Sequence, residues 1–300
     1  MAAKTLLHVG FHKTASTSFQ ETCAKNRDLL LDRGFNYPKL FSKQGGVQTA
    51  NHSIALFNVF SRSRLNYHVN AGKNILSIEK DLICYRRQLL AELLKKSNLI
   101  LSGEDICDLR VEEQKALVLY LSSFSHLLKA FAVIRSPYSM HCSAFAGRVN
   151  KTGRDLKPTN FLSQLSKIKN LMVSFTRLGN IDGISFIPFS ETIKSSQGPT
   201  KFLLEAMGVN DIDDFNTVIA NEGFSNEQTR NQMILNSQNP RIVARRINQK
   251  WQRAPSVKGP KFLLSKKELD LIMPDLIDEN HWFEENLGRA FCDTSFPTCD

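Results

Sequence analysis

Lys13 stands three residues after Gly10 and opens a cluster of four hydroxyls, Thr14, Ser16, Thr17 and Ser18. An apolar run of Leu6, Leu7 and Val9 leads into the glycine, and an apolar-periodic segment follows the hydroxyls. A buried strand, a tight turn and a helix start in that order make an anion site. Free backbone N–H groups and the positive end of the helix point at the ligand. Lys13 adds a full charge, so residues 12–18, His12 and Ala15 included, read as a phosphate cradle. The plainer alternative is a hydroxyl-rich helix cap with a solvated lysine.

A second cluster lies in the middle of the chain. The apolar run Ala130–Ile134 ends in Arg135-Ser136-Pro137, where Ser136 can cap a helix and Pro137 fits its first turn. Ser143 then falls on the second turn of that helix. An arginine at a strand's end and a hydroxyl on the next helix can converge on one phosphate. The alternative for Arg135 is a surface residue after a core strand. Two side chains are placed to accept a proton. Glu104 follows the apolar run 99–102, at the sheet edge where α/β sites lie, and His52 opens a helix in Asn51-His52-Ser53. Glu104 can equally be a capping carboxylate before a helix, and His52 a cap or a packed histidine. His8 and His141 read as packing or surface residues.

What the chain lacks narrows the chemistry. A triphosphatase loop needs G-x-x-x-x-G-K-[ST] and an Asp that closes a strand on Mg²⁺. Here a single glycine precedes the lysine and the later strand closes in Arg135. The histidines form no H-E-x-x-H and the six cysteines (23, 84, 107, 142, 292 and 299) form no C-x-x-C, so no metal is expected. The net charge of +10 favours an anionic ligand. No aromatic-interleaved basic stripe or zinc-finger spacing speaks for nucleic acid. No leader-like segment and no apolar stretch of about 18 residues is present, which reads as a cytoplasmic chain with reduced thiols.

The run from Gly10 to Thr17 resembles the 5′-phosphosulfate loop, G-x-x-K-[ST]-G-[ST]-[ST], of sulfotransferases that use 3′-phosphoadenosine 5′-phosphosulfate (PAPS). Ala15 takes the place of the family's frequent glycine. Ile134-Arg135 through Pro137 and Ser143 to Phe145 is similar to that family's 3′-phosphate motif, I-R-x-P-x-x-x-x-x-S-x-[YF]. Softer similarity to bacterial members covers residues 186–191, 202–208 and 274–288. The late R-K-G motif of cytosolic members has only Val257-Lys258-Gly259 as its counterpart. The resemblance implies a metal-independent, soluble sulfotransferase with PAPS as co-substrate. Its acceptor would be a hydroxyl or amine of a saccharide, glycolipid or metabolite. It further implies that His12, Lys13, Thr14, Ala15, Ser16, Thr17 and Ser18 hold the phosphosulfate, with Lys13 stabilising the departing oxygen. Arg135 and Ser143 would hold the 3′-phosphate, and Glu104 or His52 would act as base. Two other readings stay open: a P-loop nucleotide kinase, or a non-catalytic protein that binds PAPS or an anionic glycan.

The elements that position these residues alternate strand and helix. Helices are predicted at 19–33, 51–60, 83–96, 112–123 and 198–207, and strands at 99–102, 130–134 and 184–189. A polar loop is predicted at 150–160 and an irregular stretch at 42–48. The pattern predicts an α/β fold, a P-loop-like parallel sheet with helices on both faces and a helical C-terminal third, in a single domain over residues 1–300. The resemblance implies the sulfotransferase version of that fold.

Overall fold

In a computed structural model, residues 1–41, 50–196, 198–220, 223–243, 246–248 and 250–300 are described. The irregular stretch expected at 42–48 lies outside them. The chain forms two compact units, Met1–Ile134 with Ser166–Ala220, and Arg135–Leu165 with Asn221–Asp300.

The first unit is a five-stranded sheet, β1 (Ala2–Val9), β2 (Phe35–Asn36), β3 (Asn98–Gly103), β4 (Ser125–Ile134) and β5 (Ile181–Pro188), in the order β2-β3-β1-β4-β5. Every pairing is parallel. Parallel pairing demands crossovers; the first three are α1 (Ser16–Lys25) with α2 (Arg27–Asp32), then α3 (Ser53–Phe60) with α4 (Ile75–Leu93), then α5 (Val111–Ser123), and residues 135–180 make the fourth. Further helices are α7 (Leu165–Ser174), α8 (Phe189–Lys194) and α9 (Gly198–Ala206). Neighbouring strand residues such as Leu6 and Leu7, or Leu99 and Ile100, are all buried, so both faces of the sheet are covered. One face, with Leu6, Ile100, Phe131, Val133 and Ile187, packs on Phe19, Cys23, Leu30, Leu203 and Leu204 of α1, α2 and α9.

The helix expected at 19–33 is two helices. Asn26 breaks it: its side-chain amide donates to the Thr22 and Asn216 carbonyls and its side-chain oxygen accepts the Asn216 N–H. Those bonds compete with the helical ladder.

The second unit packs α6 (Pro137–Thr152) with α10 (Asn226–Gln238), the short antiparallel pair β6 (Ile242–Val243) and β7 (Arg246–Ile247), and α11 (Lys266–Asn286). Tyr138, Phe145 and Val149 of α6 meet Phe262, Leu264, Leu269 and Ile272 in its core. The helix reaches Thr152, two residues into the loop expected at 150–160, and stops at Gly153, whose left-handed backbone lies tight under the Trp251 indole. Among the described residues no helix is long and apolar enough to cross a membrane.

Candidate functional site

The loop between β1 and α1 is bent by two residues with left-handed backbone, Lys13 (φ 70°) and Ala15 (φ 62°). Such alternation turns successive N–H groups to one side and creates a concave anion seat. Gly10 is required where the loop begins. Any Cβ there would lie 2.8 Å from Ser16 Oγ and 3.2 Å from the Glu104 Cα. Ala15 is not the helix-entering residue its small size suggests. It holds the left-handed position at the N-cap of α1, where an L-side chain costs about 1–2 kcal/mol. Ala15→Gly should therefore raise stability by about 1 kcal/mol, read as a higher urea midpoint at unchanged slope. An unchanged or lower midpoint would show that no strain is held there.

The hydroxyls of the loop divide by task. Thr14 Oγ1 and Ser16 Oγ both donate to the Phe11 carbonyl, at 2.7 and 3.1 Å, and both residues are buried. They shape the turn from inside. Ser18 Oγ accepts the Ala220 N–H at 3.0 Å, tying the start of α1 to a distant strap. Thr17 is half-buried, Lys13 is half-buried and His12 is exposed. The face available to an anion is therefore made by backbone N–H groups with Lys13, His12 and Thr17.

His12 is held by acids from the turn after β3. Its Nδ1 lies 3.2 Å from Glu104 Oε2, and its Nε2 lies 3.9 Å from Asp108 Oδ2. The Asp108 and Glu104 carboxylates raise its pKa to about 9, which makes the ring an imidazolium at neutral pH. Burial pushes Asp108 upward, but His12 and the ammonium of Lys167, paired with its other oxygen, win and hold it at about 2. Beside Lys13 the chain thus carries a second cation.

The structure separates the two candidate bases. Glu104 packs against Gly10 and belongs to the cradle. His52 lies fully buried, its Nε2 donating to the Pro38 carbonyl at 2.9 Å and its Nδ1 accepting the Ser102 N–H at 3.0 Å. Burial lowers its pKa to about 4. With both nitrogens bonded inside the protein, it staples β3 to the chain at Pro38 and has none left for a substrate proton. His8 is a neutral core histidine, its pKa lowered to about 3 by burial, with Nδ1 on the Ser102 hydroxyl.

Arg135 and Ser143 lie in the second unit, around the start of α6. Ser136 does not cap that helix with its own oxygen. Asp293 does so instead, accepting from Ser136 Oγ and, at 2.7 Å, from the Tyr138 N–H. Burial lowers the Arg135 pKa to about 10, which leaves it charged at neutral pH. Its carbonyl accepts from the Gln164 side chain, and Ser143 is half-buried.

Several residues of the site are missed by sequence reading. Asp108, Asp105 and Lys167 meet the loop only because β1 and β3 are neighbours and α7 returns to them. The one available signal is an acid pair three residues apart just after a parallel strand. His12, Asp105 and Asp108 each bring a ligand atom within 4.8 Å of the others, a trio that could hold a metal. It can do so only once His12 gives up its proton. Asp105 and Asp108 also border an open cleft of about 270 Å³, lined by Phe57, Ser63, Asn66, Tyr67 and His68.

No family model matches the chain, and no curated protein matches it. Among solved structures it is similar to a chain from the PezAT chromosomal toxin–antitoxin system of Streptococcus pneumoniae, at 10% identity over 79% of this chain and 85% of that one, with a TM-score of 0.35.

Proposed function

We propose that the protein is a metal-independent sulfotransferase that moves a sulfuryl group from PAPS to a hydroxyl or amine of an acceptor. The observation that supports this most is the cradle after β1. There Lys13 and Ala15 bend the backbone into an anion seat, and Lys13 and the His12 imidazolium supply adjacent positive charge. The cradle holds the phosphosulfate, and Lys13 neutralises the bridging oxygen as it departs from sulfur. The acceptor attacks sulfur in line, and Glu104 takes its proton. Arg135 and Ser143, carried over from the family motif, bind the 3′-phosphate.

Calorimetry with 3′-phosphoadenosine 5′-phosphate in the presence of EDTA tests the reading. Saturable one-to-one binding is expected, and a flat titration refutes it. Radiolabelled PAPS offered with glycans and lipids then identifies the acceptor. The trio of His12, Asp105 and Asp108 gives the kinase reading its specific support. Nucleotide binding or turnover that EDTA abolishes would favour that reading instead. Arg135→Ala is expected to weaken 3′-phosphoadenosine 5′-phosphate about 10- to 100-fold, the worth of a charge-assisted contact. The same variant should leave affinity for an analogue lacking the 3′-phosphate unchanged. Equal losses for both ligands would make the arginine structural.

A further inference from the structure

The chain's positive surplus is not spread evenly. Residues 148–157 and 240–261 hold eleven of its 39 cations but one of its 29 acids, and the remainder holds 28 of each. The whole net charge of +10 thus belongs to two short segments of the second unit. In the sequence no more than two of these cations stand side by side, and it is the fold that joins the segments. The Arg241 N–H donates to the Gly153 carbonyl at 3.0 Å, and the Arg241 guanidinium donates to the Lys151 carbonyl at 3.0 Å. Trp251 is the hub. The Arg241 and Arg253 guanidiniums lie over its ring, 5.2 and 5.8 Å from the centroid, and its indole N–H donates to Asn236 Oδ1 at 3.0 Å. Two buried amides of α10 fix the arrangement from inside. Asn236 donates to the Val149 and Arg154 carbonyls, while Gln232 donates to the Gln252 carbonyl and accepts the Ala254 N–H. Arg154, Lys250 and Arg253 are exposed around this hub, and among the described residues none of the three forms an ion pair.

From this geometry we infer that the face around Trp251 binds the phosphate backbone of duplex nucleic acid without reading its bases, independently of the sulfuryl-transfer reading. A group of like charges with hardly an acid among them attracts a polyanion. Arginines already held against a ring or a carbonyl lose little freedom when their planar forks meet phosphate oxygens. Other occupants fit less well. Attachment to a membrane surface uses apolar side chains that enter the headgroup layer, and among the described residues neither segment exposes a large apolar side chain. A single strand stacks its bases on open rings, whereas the Trp251 ring lies under two guanidiniums. A duplex keeps its bases inside and its phosphates outside, so charge at fixed positions is all it asks.

The test is fluorescence anisotropy of the full chain with a labelled, mixed-sequence DNA duplex of about 20 base pairs, titrated at several salt concentrations. With about five phosphates neutralised, affinity should fall about 10²- to 10³-fold between about 50 and 200 mM salt, and a duplex of unrelated sequence should bind equally. The triple variant Arg154→Gln, Lys250→Gln, Arg253→Gln should lower the slope of log affinity on log salt by about three. The control is Lys80→Gln, Arg86→Gln, Arg87→Gln, an equal loss of charge from exposed positions on α4. It should leave duplex affinity within about twofold. Should the first triple variant fail to fold, Lys250→Gln alone carries the comparison, with the slope lowered by about one. Absence of duplex binding at the lowest salt overturns the inference. Equal losses in the two triple variants also overturn it, since net charge alone would then drive binding. Tighter binding to a single strand of the same length, or to vesicles of phosphatidylcholine and phosphatidylserine in equal parts, does the same.

Discussion

Turnover in Glu104→Gln should fall by about 10²–10⁴-fold, the range that general-base assistance supplies for an acceptor hydroxyl of high pKa. The substitution removes one of the two carboxylates that hold His12 charged, but Asp108, the stronger influence, remains. A Gln oxygen can still accept from the His12 Nδ1–H at the 3.2 Å separation seen, and the packing against Gly10 keeps its shape. Affinity for 3′-phosphoadenosine 5′-phosphate should therefore hold while kcat collapses, the signature of a contact made only in the transition state. His52→Asn is the control. Its buried ring bonds Pro38 and Ser102, so its loss should lower stability by about 1–3 kcal/mol without touching kcat of the folded fraction. The opposite pattern, full turnover in Glu104→Gln and selective loss in His52→Asn, would transfer the role to the histidine. Full turnover in both would leave the proton to the acceptor itself or to another group.

Lys13→Ala should cost about 10²–10³-fold in kcat, by analogy with the removal of one oxyanion-hole donor. Alanine is the informative replacement here. Lys13 sits at φ 70°, where any Cβ is strained, and alanine keeps that strain while removing the ammonium with its stem. The loop geometry is further held by Thr14 and Ser16 on the Phe11 carbonyl, neither of which depends on the lysine. Binding should weaken much less than turnover, since His12 and the backbone N–H groups remain. Near wild-type turnover would remove Lys13 from the mechanism.

The α/β class and the parallel sheet are legible in the sequence because its strands are short apolar runs punctuated by glycine, arginine or proline. The strand, loop and helix around Lys13 are legible for the same reason. Other features escape because they depend on partners far along the chain. Asn26 splits one helix in two by reaching Asn216, which no local pattern reports. The helix α4 begins at Ile75, ahead of the expected start at 83, because Asn74 caps it through the Ser77 N–H. Its first residues, Ile75 and Leu76, are exposed apolar side chains that break the periodicity a sequence reading relies on. The hydroxyl cluster looks uniform in sequence, yet only the folded backbone shows Thr14 and Ser16 turned inward and Ser18 spent on Ala220. His52 and Glu104 look alike as proton acceptors until burial and hydrogen bonding distinguish them. The His12–Asp108–Lys167 chain of charges joins residues from the loop after β1, the turn after β3 and α7, and exists only once the sheet is assembled.

The strand order carries a consequence for how this molecule comes into being. β1 is the central strand of the sheet, yet its partners Leu99 and Leu127 lie far along the chain and emerge long after it. β5 joins β4 only after the whole segment 135–165 of the other unit has intervened. Such distant pairings must meet their loop-closure entropy before contacts reward it, which makes folding slow. During that interval the apolar stretch Leu6 to Val9 leaves the ribosome without a neighbour, a nascent segment of the kind that chaperones shelter from aggregation. The strand that leads into the Lys13 loop thus waits longest for its partners during biosynthesis.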